Sequence, residues 1–234
     1  MSPRMWVILG ATSIIAEKFA HLVASKGHAV RLVGRDTDQL NIIATDIQLR
    51  FHVACEVRIF DANDLNILLH SDNPELDLFI AHSDMTENCL LNEDRITNLI
   101  KVNILTTIQL IHHYLKIEQK RHNVIYLSSV AARRGRAKNS LYGASKAAVE
   151  IYLQGLQQLA TPSQHITIAR LGYIDTQQTY GLPGIFYAAS PLNCAQACWK
   201  AIIRGKRCFY YPFFWQAIMY IVSKLPFFLY KKVP

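Results

Sequence analysis

Short apolar runs alternate with amphipathic stretches along this chain, and the alternation limits the fold more than any single motif does. Residues 5–10 (MWVILG) are apolar and end in glycine, the pattern of a strand buried on both faces. From residue 13 to 26, Ile15, Phe19, Leu22 and Val23 recur at helical spacing, and Gly27 follows as a stop signal. The same rhythm continues. Strands are expected at 29–34, 51–60, 76–81, 123–129, 165–171 and 208–212, and helices at 37–49, 65–70, 94–118, 140–159 and 195–204. Strands separated by helices argue for a parallel sheet covered on both faces. The sequence therefore predicts an α/β, doubly wound, seven-stranded sheet in a single domain spanning 1–211, followed by an aromatic and basic tail at 212–234.

Composition closes off other classes. With 51% hydrophobic and 18% charged residues among 234, the chain has the means to build a core and is not a disordered polymer. Cys55, Cys89, Cys194, Cys198 and Cys208 are odd in number and form no CxxC pair, which excludes a disulfide scaffold and a cysteine zinc module. They are expected to be buried, reduced thiols, and no metal site is expected. No secretory leader is read at the N-terminus, and no run reaches about 18 apolar residues, so no spanning helix is expected. A cytoplasmic location, at the inner face of the membrane, is the resulting expectation.

The net charge of +8 is unevenly placed. Residues 176–234 hold Lys200, Arg204, Lys206, Arg207, Lys224, Lys231 and Lys232 and no acid, so the rest of the chain is close to neutral. An anionic partner is expected near the C-terminal quarter. No nucleic-acid recognition motif accompanies it, and nucleic acid is not an expected partner.

In a doubly wound sheet, ligands bind beyond the carboxyl ends of the strands. After strand one comes Gly10-Ala-Thr12-Ser13-Ile-Ile15-Ala, where Gly10 permits a tight turn. Thr12, Ser13 and Ile15 stand at a helix start whose free N–H groups favour a phosphate. An ordinary capped helix explains the same residues, because the full glycine fingerprint is missing. Strand two ends in Gly34-Arg35-Asp36. An arginine there suits a ribose 2′-phosphate and favours NADP(H) over NAD(H), with Asp36 leaving NAD(H) open. Asp61, after strand three, is a candidate for an adenine amino group or a helix cap.

Tyr142 and Lys146 lie four apart on an expected helix and share a face. An ammonium beside a phenol favours phenolate, and such a tyrosine exchanges a proton with a carbonyl or alcohol. Ser129, at the end of strand five, can bond the same oxygen. A second pair, Tyr220 and Lys224, lacks a serine thirteen residues upstream and is assigned a structural role. Asn103 interrupts an apolar helix, either holding a water in a proton relay or merely satisfied within the helix.

Together these residues resemble the short-chain dehydrogenase/reductase family over roughly residues 5–211. The resemblance implies a Rossmann-like fold and hydride transfer between NAD(P)H and a carbonyl or alcohol substrate. Tyr142 would be acid/base, Lys146 would hold the nicotinamide ribose and tune Tyr142, Ser129 would orient the substrate oxygen, and Asn103 would support the relay. Gly172 and Thr176 look like the family's segment over the nicotinamide, with Leu171 replacing a proline. After strand four the family's Asn-Asn-Ala-Gly is replaced by Ala81-His82-Ser83-Asp84. Ala81 would line the cofactor, Asp84 would narrow the cleft, and His82 is read as a packing residue. Within the family, the first turn, the Arg133-Arg134-Gly-Arg136 loop and the aromatic tail are similar to bacterial members of the decaprenylphosphoryl keto-pentose reductase kind, which act on polyprenyl-phosphate-linked sugars.

Two features remain open at this level. Arg133, Arg134 and Arg136 either hold a substrate phosphate or form a solvated basic loop. Residues 208–234, with 10 of the chain's 24 aromatic residues, suit a peripheral membrane contact, a packed tail in a homo-oligomer, or a lid. A soluble small-ketone reductase and a non-catalytic nucleotide sensor are the competing readings of the whole chain.

Overall fold

The computed structural model describes residues 4–60, 65–70, 75–176 and 187–232. Seven strands, β1 (Met5–Leu9), β2 (Ala29–Gly34), β3 (Cys55–Ile59), β4 (Leu76–Ile80), β5 (His122–Ser129), β6 (Gln164–Leu171) and β7 (Cys208–Tyr211), form one parallel sheet in the order β3-β2-β1-β4-β5-β6-β7. Every residue of β1 and β4 is buried, as unbroken apolar runs in a two-sided sheet should be.

Side-chain alternation divides the core in two. Trp6 and Ile8 of β1 pack with α1 (Ile14–Ala24), α2 (Thr37–Phe51) and α7 (Pro191–Ile203). Met5, Val7 and Leu9 point to the other face, against α3 (Asn66–Leu69), α5 (Thr107–Leu115) and α6 (Ser140–Leu159). Phe19 of α1 stacks on Phe79 of β4 with ring centroids 4.1 Å apart. Thus the expected doubly wound, single-domain, Rossmann-like architecture is observed.

The elements differ from the sequence expectation mainly at their edges. Phe51 closes α2 and does not open β3, because tertiary pairing begins only at Cys55. The expected long helix is interrupted. α4 (Glu93–Ile100) passes through a π-helical segment, Lys101–Thr106, before α5. Asn103 lies in that segment, and such widened turns gather at functional sites. The cysteines are free, but only Cys55, Cys194 and Cys198 are buried. Cys89 and Cys208 are exposed, contrary to the expectation of buried thiols.

The tail is folded. It leaves β7 through a cis Tyr211–Pro212 bond and forms α8 (Trp215–Lys224) and α9 (Phe227–Tyr230). Among the described residues, no helix is long and apolar enough to cross a membrane.

Candidate active site

The strand order reverses direction between β1 and β4, and the crevice beyond their carboxyl ends is where a ligand binds in such sheets. Leu9 of β1 is in register with Val33 of β2 and Ile80 of β4, so the three following loops meet. Gly10 turns at φ +79°, and a Cβ there would stand 2.5 Å from the His82 backbone nitrogen. Only glycine allows the first turn and the post-β4 loop to cross this closely. Ser13, the N-cap of α1, makes no side-chain capping bond. The first N–H bonded within the helix is that of Glu17, leaving the amides of residues 14–16 directed outward. The Ile15 side chain is in the core, so only its backbone can face a ligand. Thr12 is exposed and Ala81 is half-buried, its N–H held by Leu9.

Arg35 is exposed at the end of β2, and its charge reaches His82 and Asp84. Asp36 is committed elsewhere: its carboxylate caps α2 by accepting the Gln39 N–H at 3.0 Å. Asp61 lies outside the described residues. An uncapped helix start, a close-crossing glycine and an exposed guanidinium fit the two phosphates and the ribose end of a dinucleotide.

On the other side of the crevice, α6 carries Tyr142 in its first turn and Lys146 one turn later, both buried. The Lys146 ammonium donates to the Leu127 carbonyl at 2.9 Å and lies 5.8 Å from the centre of the Tyr142 ring. Burial pushes Lys146 down to about 7, with Glu150 opposing. The expectation that Lys146 lowers the Tyr142 phenol is not met. Burial raises Tyr142 above 10, and what opposes it is hydrogen bonding with Ser129 and Ser83 and the charge of Arg136. The contact with Ser83 is loose, since the buried Ser83 Oγ has no partner in good hydrogen-bond geometry. Tyr142 is consequently a neutral phenol near pH 7. The comparison pair behaves oppositely: Lys224 donates directly to the Tyr220 hydroxyl at 2.7 Å, both exposed on α8.

Asn103 is buried, and both donors of its side-chain amide are used. Its Oδ1 accepts the Asp84 N–H at 2.7 Å, and its Nδ2 donates to the Asp84 carbonyl at 2.8 Å and to Ser145 Oγ at 2.9 Å. Ser145 in turn donates to the Tyr142 carbonyl at 2.8 Å. The side chain is a clamp joining the π segment, the post-β4 loop and α6, so a relay can use only its main chain or the spare lone pair on Oδ1. Asp84 does not reach across the cleft with its carboxylate, which accepts from Thr86 and from Asn98 at 2.8 Å. Burial would raise Asp84, but these bonds and Arg35 hold it below the ordinary range.

The three loop arginines separate. Arg133 is exposed. Arg134 donates to the Val222 carbonyl and stacks 3.7 Å from the Tyr230 ring centre, which binds it to the tail. Arg136 is the one whose charge acts on Tyr142, and it lies 3.4 Å from the Tyr173 hydroxyl. Gly172 supports the indole of Trp215, and a Cβ there would overlap the ring. Thr176 stands at the edge of the described chain. Glu150, which no sequence motif singles out, accepts from Ser128 at 2.5 Å and from Arg170 at 2.7 Å beneath Lys146. Its place one turn after Lys146 was the available signal. Ser83 and Ser145 carried none, because only the fold brings them to the phenol and to Asn103.

A parallel sheet with a switch point, and Ser129, Tyr142 and Lys146 brought together at the carboxyl end of β5, fit an α/β oxidoreductase of the nucleotide-binding type. The family model of the short chain dehydrogenases matches residues 4–182, and the chain belongs to that family. It is 25% identical over 240 residues to an uncharacterized oxidoreductase of Mycobacterium tuberculosis, covering 97% of this chain and 96% of the relative. It is 22% identical over 186 residues to carbonyl reductase family member 4 of Xenopus tropicalis, covering 76% and 79%. Among solved structures, a short-chain dehydrogenase from Sphingobium yanoikuyae in complex with NADPH shares the fold with a TM-score of 0.78 at 21% identity, covering 96% of this chain and 97% of that one.

Proposed function

We propose that the protein reduces a carbonyl at the expense of NADPH, on a hydrophobic substrate whose anionic group lies near Arg136, such as a polyprenyl-phosphate-linked keto-sugar at the inner membrane face. The observation that carries the reading is the placement of Tyr142 and Lys146 one turn apart on α6, with Ser129 at the end of β5 against the phenol, which burial holds above its ordinary pKa. Bound NADPH would supply the hydride. Tyr142 donates the proton to the carbonyl oxygen as charge develops there, and Ser129 donates a hydrogen bond to the same oxygen. Lys146, anchored on Leu127, orients a ribose hydroxyl and adds positive charge while protonated. An exposed Arg35 with Asp36 occupied as a cap supports the 2′-phosphate form of the cofactor. The Sphingobium dehydrogenase of the same fold, solved in complex with NADPH, supports it too.

Tyr142→Phe is the direct test. Carbonyl reduction should fall by about 10²–10⁴-fold, while NADPH binding measured by fluorescence titration is retained. Unchanged turnover would end the proposal. Arg35→Ala should weaken NADPH binding by about tenfold or more and leave NADH binding nearly unchanged, since a charge-assisted phosphate contact is lost. Equal effects on both cofactors would remove the preference.

A further inference from the structure

The helices of the tail have two unlike faces. On one, Trp215 and Met219 are 5% and 2% exposed and pack with Val130, while Arg134 grips the Val222 carbonyl and the Tyr230 ring. Tyr230 donates to the Gly135 carbonyl. On the other face, Phe213, Tyr220, Ile221, Phe227 and Phe228 are 61–82% exposed. Lys224, Lys231 and Lys232 are exposed beside them, with no acidic residue anywhere from 176 to 234. Large aromatic side chains grouped on the surface of a folded protein, with cations at their border, mark a contact surface.

We propose that this face of α8 and α9 docks on an anionic lipid bilayer, lying in the plane of the interface. Charge selects the occupant. An isologous contact with a second copy would set an all-lysine patch against itself, whereas anionic headgroups complement it. Size agrees, because the ten residues of α8 make about 15 Å of helix, half of a hydrocarbon core, so the segment lies on the membrane and does not cross it. The packed face of the tail rests on Gly172 and on Val130, Arg134 and Gly135, the last three of which follow Ser129 in the loop after β5. A docked bilayer is therefore beside the mouth of the crevice, and a lipid-borne carbonyl enters without crossing water. That last consequence alone rests on the proposed reductase activity.

The test is flotation of the full chain with phosphatidylcholine vesicles, with and without phosphatidylglycerol. Wild type should bind the anionic vesicles at least tenfold more than the neutral ones. Phe227→Ser/Phe228→Ser, both exposed and outside the core, should lose that binding by tenfold or more. Lys224→Gln/Lys231→Gln/Lys232→Gln should lose the preference for anionic lipid. Circular dichroism and turnover of a short water-soluble ketone should not change in either variant. Wild type that stays in solution with anionic vesicles overturns the proposal. So does a dimer in sedimentation velocity that the phenylalanine variant splits while vesicles capture nothing. Wild type that floats yet reduces no carbonyl supports docking and counts against the reductase reading alone.

Discussion

His82 shows how one side chain answers to three neighbours. Its Nε2 is 2.9 Å from the Val102 carbonyl and 3.2 Å from Thr107 Oγ1, and its Nδ1 is buried without a partner among the described residues. Burial pushes the imidazole down to about 4, and the charges of Lys146 and Arg35 add to that. A packing role understates the residue, since His82 also forms the wall that Gly10 crosses. A depressed folded value means that the unfolded chain takes up a proton first. Stability is thus fully present above about pH 6.5 and is lost as the pH falls toward 4. The loss should approach 2 kcal/mol, discounting about one pH unit for the partly exposed ring. His82→Asn should flatten the decline between pH 6.5 and 4 in urea melts, and an unchanged slope would contradict the assignment.

At the scale of elements, α6 unites chemistry and support. It carries Tyr142 and Lys146, both buried, and Glu150, one turn further, ties the helix to β5 through Ser128 and to β6 through Arg170. The Arg170–Glu150 pair is nearly enclosed, with side chains 13% and 3% exposed. Removing one partner of such a pair leaves an uncompensated charge. Glu150→Gln should destabilise the protein by about 3 kcal/mol, read as a lower urea midpoint. It should also move the Lys146 titration below about 7, read from the pH profile of kcat/KM, because Glu150 holds that ammonium up. A destabilised variant with an unmoved profile would make Glu150 purely structural. The sequence displayed the i, i+4 spacing of Lys146 and Glu150, but not that a strand-borne arginine closes the pair. In the same way, Asn103 was visible as a polar residue in an apolar run, whereas the π segment that turns it toward Asp84 is a tertiary outcome.

The whole molecule keeps its two sheet edges separate. The carboxyl edge carries the crevice. At the amino edge, buried Asp77 accepts from both Arg4 Nε and Nη2 and from Asn123 Nδ2, each at 2.8 Å, while Arg4 also pairs with Glu75. Asp77→Ala should cost about 1–3 kcal/mol in denaturant melts, because Arg4 Nε and Asn123 Nδ2 lose their acceptor while Glu75 still pairs the guanidinium, and should change kcat/KM less than twofold at a temperature where the fold persists. A large kinetic effect would show that the two edges are coupled.

What the chain dictated unaided was periodic or local. Two-sided burial demands unbroken apolar strands, a helix demands its 3.6-residue stripe, and Tyr142 and Lys146 needed only helical geometry to share a face. The tertiary structure decided whatever depends on distant segments meeting in low-dielectric surroundings. It set the surroundings of Tyr142 and Lys146, where burial pushes the phenol up and the ammonium down. It sent Arg134 to the tail and Arg136 toward Tyr142 while leaving Arg133 exposed, and it sorted the tail's aromatic residues into a packed face and an exposed one. Solvation and contact are properties of a residue's surroundings in space, and spacing along a chain does not encode them.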